Sequence, residues 1–233
     1  YQGPGDKLKD PLPLDSPLWS PKNAPPDVYV KMIEGVDQSV GKILTILQKL
    51  KLEKETIIFF ASDNGGPVCA RNAPYSGYKG STYEGGSHVP AMIRWPGVIP
   101  AGKVSQQSCI TFDFTQSMAN LAGVKASKEK PFEGIDILQH VAQGKRDIRR
   151  TLYWRKPRGD TLWKGVRKGR WKFVGHQDDE KYREYLFDLY ADPAEKKDLK
   201  EVQPVVFADL KKLFNTWEET TRKNRRGRPV GEE

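Results

Sequence analysis

Two short stretches of the chain concentrate residue types able to do chemistry on an anion. Ser62-Asp63-Asn64-Gly65-Gly66 sets a carboxylate beside an amide carbonyl. Oxygen donors of this kind suit a hard divalent cation, Ca2+ or Mg2+, better than a thiolate-loving metal. The same run also suits an Asx-turn that ends a strand. Gly65 and Gly66 allow a sharp turn that leaves both side chains free. Further on, Lys79 lies among Gly77, Gly80, Ser81, Gly85 and Gly86. A lysine on a glycine-rich loop can approach an anion together with backbone N–H groups, although an exposed loop lysine explains it as well. The spacing is not that of a P-loop. Glu84, in the same stretch, is read as a cap or salt-bridge residue with no catalytic role.

The flanking elements place these residues. Met32, Val36, Val40, Ile43, Leu47 and Leu50 recur at three- and four-residue steps, which predicts a helix over 27–50 with Asp27 as its N-cap. A charged turn leads into Thr56-Ile57-Ile58-Phe59-Phe60-Ala61. This continuous β-branched and aromatic run is predicted to be a strand buried on both faces, as in a sheet flanked by helices. The Asp63-Asn64 couple therefore falls just past the carboxyl end of a strand, where ligands collect in open α/β sheets. Residues 67–89 read as a loop, 90–95 as a strand and 111–122 as a helix stopped by Gly123. Beyond Gly134 the pattern changes to short strands over 151–155, 162–167, 170–174 and 184–189, with a tight turn at Lys168-Gly169. A closing helix is predicted over 203–221. Asp178-Asp179 sits in a polar stretch from His176 to Lys181 that reads as a loop. His140 falls within a predicted helix and is given no role. The chain thus divides into 1–133, part of an α/β domain, and 134–233, an antiparallel-sheet subdomain with a terminal helix.

The chain has 233 residues, 37% of them hydrophobic and 30% charged, a globular composition rather than a disordered one. No apolar run approaches the ~20 residues of a bilayer span. The formal charge of +9 favours anionic partners or simply a solvated basic surface. No basic stripe interleaved with aromatics is present, so nucleic acid is not an expected partner. Much of the excess lies in a terminal run, Arg222, Lys223, Arg225, Arg226 and Arg228, expected to fray. Cys69 and Cys109 form no Cys-x-x-Cys pair, which leaves a zinc knuckle or a thioredoxin-like site without support. Whether the two pair with each other is open. The first residues, Tyr1 to Asp6, carry no basic or apolar leader and read as mid-protein sequence, with any export signal upstream.

Taken in order, the strand-SDNG segment, the run Gly77-Tyr78-Lys79-Gly80-Ser81-Thr82-Tyr83-Glu84-Gly85-Gly86, and Val89-Pro90-Ala91-Met92-Ile93-Arg94-Trp95-Pro96-Gly97 resemble the formylglycine-dependent sulfatase family of the alkaline-phosphatase superfamily. So do Glu133-Gly134-Ile135-Asp136, Arg167–Val174 and Leu186-Phe187-Asp188-Leu189-Tyr190. The resemblance covers roughly residues 27–217 and matches the C-terminal half of such proteins. It implies an alkaline-phosphatase-like α/β sandwich with a mixed central sheet flanked by helices, present in part, followed by a small antiparallel sheet and a closing helix.

It also implies roles. Asp63 and Asn64 would be ligands of Ca2+ or Mg2+, and Lys79 would contact a sulfate oxygen. The family's nucleophile is a formylglycine made from Cys or Ser within C/S-x-P-x-R. That motif is missing from these residues, so it is expected upstream, together with the family's first Asp-Asp pair of metal ligands. This chain alone is then expected to be inactive and to rely on an N-terminal half or a partner chain. Where the family commonly has arginines, Ser76 and Ser87-His88 stand here. His88 becomes a candidate substrate contact and His176 a candidate at the rim of the substrate site. The expected substrate is a sulfated small molecule or sulfated glycan, and the family suggests a periplasmic or secreted location. A phosphatase or phosphonate-ester hydrolase on the same fold, or a polyanion-binding module without catalysis, are the alternatives.

Overall fold

The computed structural model describes residues 26–128, 131–178 and 181–224. The proline-rich opening and most of the basic terminal run lie outside these residues. Element order is α1 (Pro26–Lys49), β1 (Ile58–Ala61), α2 (Glu84–Ser87), β2 (Ala91–Arg94), α3 (Thr111–Leu121), α4 (Ile137–Gln143), β3 (Thr151–Arg158), β4 (Thr161–Lys168), β5 (Trp171–Asp178), β6 (Lys181–Asp188) and α5 (Pro204–Asn224). Backbone contacts divide the chain into two compact units. The first comprises the described residues up to Gln38, Ala61–Pro90 and those from Arg150 on; the second comprises Ser39–Phe60 and Ala91–Arg149.

The first unit is built on an antiparallel meander in the order β3-β4-β5-β6. The register Leu152↔Arg167, Arg167↔Lys172 and Lys172↔Phe187 runs straight across the sheet. Because side chains alternate along each strand, this row and the positions two residues away from it share one face. The opposite face carries Val166, Phe173 and Leu186, closed by Leu210 and Phe214 of α5 into a buried cluster. Val206, Phe207, Leu210, Leu213, Phe214 and Trp217 repeat at helical spacing, which turns one stripe of α5 onto the sheet. Each fully buried side chain of this size stabilises by about 1.5–3 kcal/mol. Val174 and Phe187 on the first face pack with Leu189, Tyr83, Trp163 and Tyr185.

In the second unit β1 and β2 form a two-stranded sheet. Phe59 stacks on Phe114 of α3 with ring centroids 3.9 Å apart. Asp113 is fully buried and accepts from the Ile110 and Ile135 amides (2.7 and 2.9 Å). Ser117 accepts from the amides of Ile137 and Leu138 (2.9 and 3.3 Å), which fastens the start of α4 to α3. Asp136 caps α4 by accepting from Gln139 N–H at 3.0 Å, and Gly144 ends it in the left-handed region (φ 61°).

Several expectations need correction. Helix α1 begins at Pro26, so Asp27 lies within its first turn rather than at the cap. Proline suits that first position because its missing N–H has no intrahelical partner there. Strand β1 is half-buried at every residue rather than enclosed on both faces. The stretch read as a loop over 67–89 contains the short helix α2. His176 to Asp178 belong to β5 rather than to a loop, because the ladder continues to Asp178↔Lys181; Asp179 lies outside the described residues. Both cysteines are thiols.

Candidate functional site

The turn after β1 is shaped by close backbone approaches. A Cβ on Gly65 would stand 1.9 Å from the carbonyl oxygen of Gly85, so only glycine fits there. Gly65 N–H donates to Gly86 O at 3.0 Å, and Gly85 N–H donates to Ser76 O at 2.7 Å. Asn72 clamps the turn from the other side, accepting from Gly66 N–H and donating to Gly66 O, both at 3.0 Å. The backbone N–H of Lys79 also donates to Gly66 O at 2.8 Å. The lysine loop is thereby bonded directly to the Asp63-Asn64 turn, although the two are separated in sequence.

A cleft of about 500 Å3 opens over these bonds. Ser62, Asp63, Asn64, Gly65, Gly66, Pro67, Val68, Tyr78 and Lys79 line it, with Tyr29 of α1 and Lys156 and Arg158 of β3, all from the first unit. Asp63 and Lys79 are exposed there and Asn64 is half-buried. The Asn64 amide N–H donates to Gly65 O at 3.2 Å, which leaves the oxygen end of that side chain as the natural ligand. Carboxylate and amide oxygens fit Ca2+ or Mg2+ in kind, but such ions take six or more ligands. No group of three or more His, Cys, Asp or Glu residues suited to a metal occurs among the described residues. Asp63 and Asn64 therefore fit as part of a coordination shell and do not complete one.

Behind the cleft the lysine loop is anchored to the sheet by buried charge. The Lys172 side chain has no exposure to solvent; its ammonium donates to Glu84 Oε1 at 2.6 Å and lies 3.1 Å from Glu195 Oε1. Glu195 Oε2 accepts from the Glu84 backbone N–H at 2.6 Å and so starts α2. Glu84 Oε2 meets His88 Nδ1 at 2.8 Å and Arg167 at 3.6 Å. Burial pushes the Glu84 carboxyl up, but the bonds from His88 and Lys172 win and hold it down to about 2. Burial pushes Glu195 above the usual carboxylate range despite Lys172. Glu84 is thus a salt-bridge residue, as its place in the sequence suggests. Ser76 donates to Ala194 O at 2.5 Å and ties the loop to the same turn as Glu195.

Of the residues singled out from the sequence, Asp63, Asn64 and Lys79 meet in one cleft, while His88 and His176 do not line it. His88 stacks on Tyr75 at 4.5 Å and bonds Glu84. His176 stacks on Trp163 at 3.6 Å, and burial lowers its pKa. Lys156, Arg158, Tyr29 and Tyr78 were not among the sequence candidates. The available signal was the basic run Arg155-Lys156-Pro157-Arg158 before Gly159-Asp160, which puts two cations on one face of a strand end.

The sulfatase family model matches residues 8–124, and a second, described as N-sulphoglucosamine sulphohydrolase, C-terminal, matches residues 78–220. The chain belongs to the sulfatase family. N-acetylgalactosamine-6-sulfatase of Canis lupus familiaris is 37% identical over 140 residues, 58% of this chain and 26% of that protein. Human steryl-sulfatase is 35% identical over 121 residues, 48% of this chain and 21% of that protein. Among solved structures, Ps i-CgsB in complex with k-i-k-neocarrahexaose superposes with a TM-score of 0.75 at 27% identity, covering 88% of this chain and 48% of that one. This sulfatase chain therefore spans about a quarter of the length of the curated relatives and under half of the solved chains. Its fold is the alkaline-phosphatase-like α/β fold of those sulfatases, and none of its described helices is long and apolar enough to cross a membrane.

Proposed function

We propose that this chain supplies one side of the active site of a sulfuric ester hydrolase acting on a sulfated sugar. Asp63 and Asn64 hold Ca2+, or Mg2+ in its place, and Lys79 donates to an oxygen of the sulfate group. The observation that carries the reading is the 2.8 Å bond from Lys79 N–H to Gly66 O, with all three side chains lining one cleft. Sulfuryl transfer moves negative charge onto the non-bridging and leaving oxygens, and cationic groups fixed in advance favour that distribution. The divalent ion, when bound, supplies Lewis-acid stabilisation of the same charge. The chain's own part is to orient Asp63 and Asn64 on a turn that Gly65 and Asn72 hold in place, and to present Lys79 in the same cleft. The formylglycine nucleophile and the other metal ligands come from elsewhere in the full-length protein, so these residues alone are inactive. The family assignment, the sugar named in the galactosamine sulfatase and the oligosaccharide complex of the solved neighbour support a sulfated sugar as the substrate class.

The test uses the full-length protein. Asp63→Ala abolishes sulfate release, and Lys79→Ala lowers kcat by about 100- to 1000-fold, the usual effect of deleting one preorganised donor. Removing the metal with EDTA abolishes turnover, and Ca2+ both restores it and raises the melting temperature of the wild type but not of Asp63→Ala. Turnover near normal in either variant would remove that residue from the site. Faster hydrolysis of an aryl phosphate than of the matching aryl sulfate would replace the sulfatase reading with a phosphatase one.

A further inference from the structure

The cleft carries more positive charge than one sulfate ester and one metal ligand pair require. Lys79, Lys156 and Arg158 line it, against Asp63 as the sole acidic lining residue. No ion pair joins any of the three cations to a carboxylate among the described residues. Lys156 and Arg158 are not on a mobile loop. Lys156 pairs with Trp163 across the β3–β4 ladder and Arg158 with Thr161. Trp163 is itself braced by the His176 stack and an edge contact from Tyr83. The hairpin turns tightly at Gly159, in the left-handed region (φ 53°). Lys156 and Arg158 are two residues apart on one face, so their Cα atoms are ~7 Å apart. The Lys156 ammonium reaches the loop beside Lys79: a Cβ on Gly80 would stand 3.2 Å from it. A rigid strand thus presents an ammonium next to the proposed sulfate contact and a guanidinium one step further out.

We propose that Lys156 and Arg158 form a second anion subsite beside Lys79, so that the preferred substrate is a sulfated sugar bearing a further sulfate or carboxylate. This rests on the reading of the cleft as a sulfate-ester site. The physical reason is mutual repulsion. Three cations gathered against one carboxylate raise the local potential, and a ligand with two negative groups relieves it more than a ligand with one. Arg158 offers a planar fork for a carboxylate or sulfate, and Lys156 a point charge between the two groups. Tyr29 and Tyr78 add ring surface on which a sugar can lie.

The experiment compares three defined probes on the full-length protein: N-acetylgalactosamine 6-sulfate, N-acetylgalactosamine 4,6-disulfate and a chondroitin 6-sulfate disaccharide carrying a uronate. Dissociation constants are measured by calorimetry with EDTA present, so that turnover does not intervene, and sulfate release is measured separately with Ca2+. At least one doubly charged probe should bind tenfold or more tightly than the monosulfate; which one does so distinguishes a second sulfate from a carboxylate. Lys156→Ala with Arg158→Ala should bring that preference to within threefold, and Lys156→Arg with Arg158→Lys should retain it. Equal binding of all three probes by the wild type, or a preference that survives the double alanine variant, overturns the subsite. If the preference behaves as expected but no probe releases sulfate, the hydrolase reading fails and the anion subsite stands. If sulfate is released without any preference, the reverse holds.

Discussion

Lys172 lies under the glycine-rich loop with its ammonium 2.6 Å from Glu84 and 3.1 Å from Glu195, and its side chain and that of Glu195 have no exposure. Two carboxylates so near each other stay buried only because the ammonium lies between them. Lys172→Met removes that compensation and should cost about 3–5 kcal/mol of unfolding free energy, the range for breaking a buried ion pair from one side. A loss under 1 kcal/mol in urea unfolding would show that the two carboxylates do not depend on the ammonium for their burial. The two carboxylates also act on stability in opposite directions. Glu84 titrates at about 2 in the folded chain, against 4.5 ordinarily. Its contribution is full above pH 4.5 and is lost as pH falls toward 2. Glu195 is shifted up, so its contribution is present at low pH and is lost as pH rises through its folded value. Glu84→Gln should therefore flatten the acid side of the stability curve between pH 4.5 and 2 and leave the loss of stability with rising pH that Glu195 contributes. Unfolding free energies taken every half pH unit would read this, and an unchanged acid slope would contradict it. None of this was legible locally, since Glu84, Lys172 and Glu195 lie on α2, β5 and the turn after β6, far apart in sequence. Asp63, Asn64 and Lys79 could be singled out because two short motifs carry them, and the structure adds that they line one cleft, with Lys79 N–H bonded to Gly66 O. Lys156 and Arg158 reach the same cleft from a strand far along the chain.

At the scale of elements, periodic sequence gave the helices and their faces. Of the stripe read from Met32 to Leu50, Met32, Val40 and Leu47 are half-buried, but Val36, Ile43 and Leu50 (just past the end of α1) are exposed, as are Ile33 and Ile46 beside it. A contiguous apolar face of this kind promotes association. Ile43→Gln with Ile46→Gln should reduce self-association of the 233-residue chain in light scattering and leave its melting temperature within 2–3 °C, since little packing is lost. A large drop in melting temperature would mean that the face is covered after all. Strand β3 runs to Arg158, past Pro157 and beyond its predicted end at 155. Proline lacks the N–H for a ladder bond, but β3 is an edge strand, where one N–H side faces no partner. Helix α2 escaped detection because Gly85 and Gly86 have poor helix propensity. Its start is made by the Glu195 carboxylate and its close packing by Gly65, both distant in sequence.

At the scale of the whole chain, the two units differ in how they are held. Among the described residues the buried apolar side chains belong to the first unit, apart from Ile137 and Leu138. Val166, Phe173, Leu186, Leu210 and Phe214 form a continuous core between sheet and α5, whereas the second unit relies on buried polar anchors, Asp113 and Ser117 above all. A hydrogen bond to a buried hydroxyl contributes about 1 kcal/mol net and one to a carboxylate about 1.5–3 kcal/mol, so the few anchors of the second unit stabilise less in sum than the five core side chains of the first at about 1.5–3 kcal/mol each. Local opening is governed by the apolar burial that must be given up. Hydrogen exchange on the 233-residue chain should therefore be slowest in the central strands β4 and β5 and in α5 around Leu210. The amides of α3 should exchange at least ~100-fold faster, although that helix carries the most completely buried polar pair in its unit. The consequence for function is a division of labour. The cleft lies wholly within the unit with the dense core, and Lys156 and Arg158 stand on its edge strand. Equal protection of α3 and β5 would show that the buried polar anchors stabilise as much as the aromatic core does, and would remove the mechanical reason for finding the charged cleft on the sheet unit.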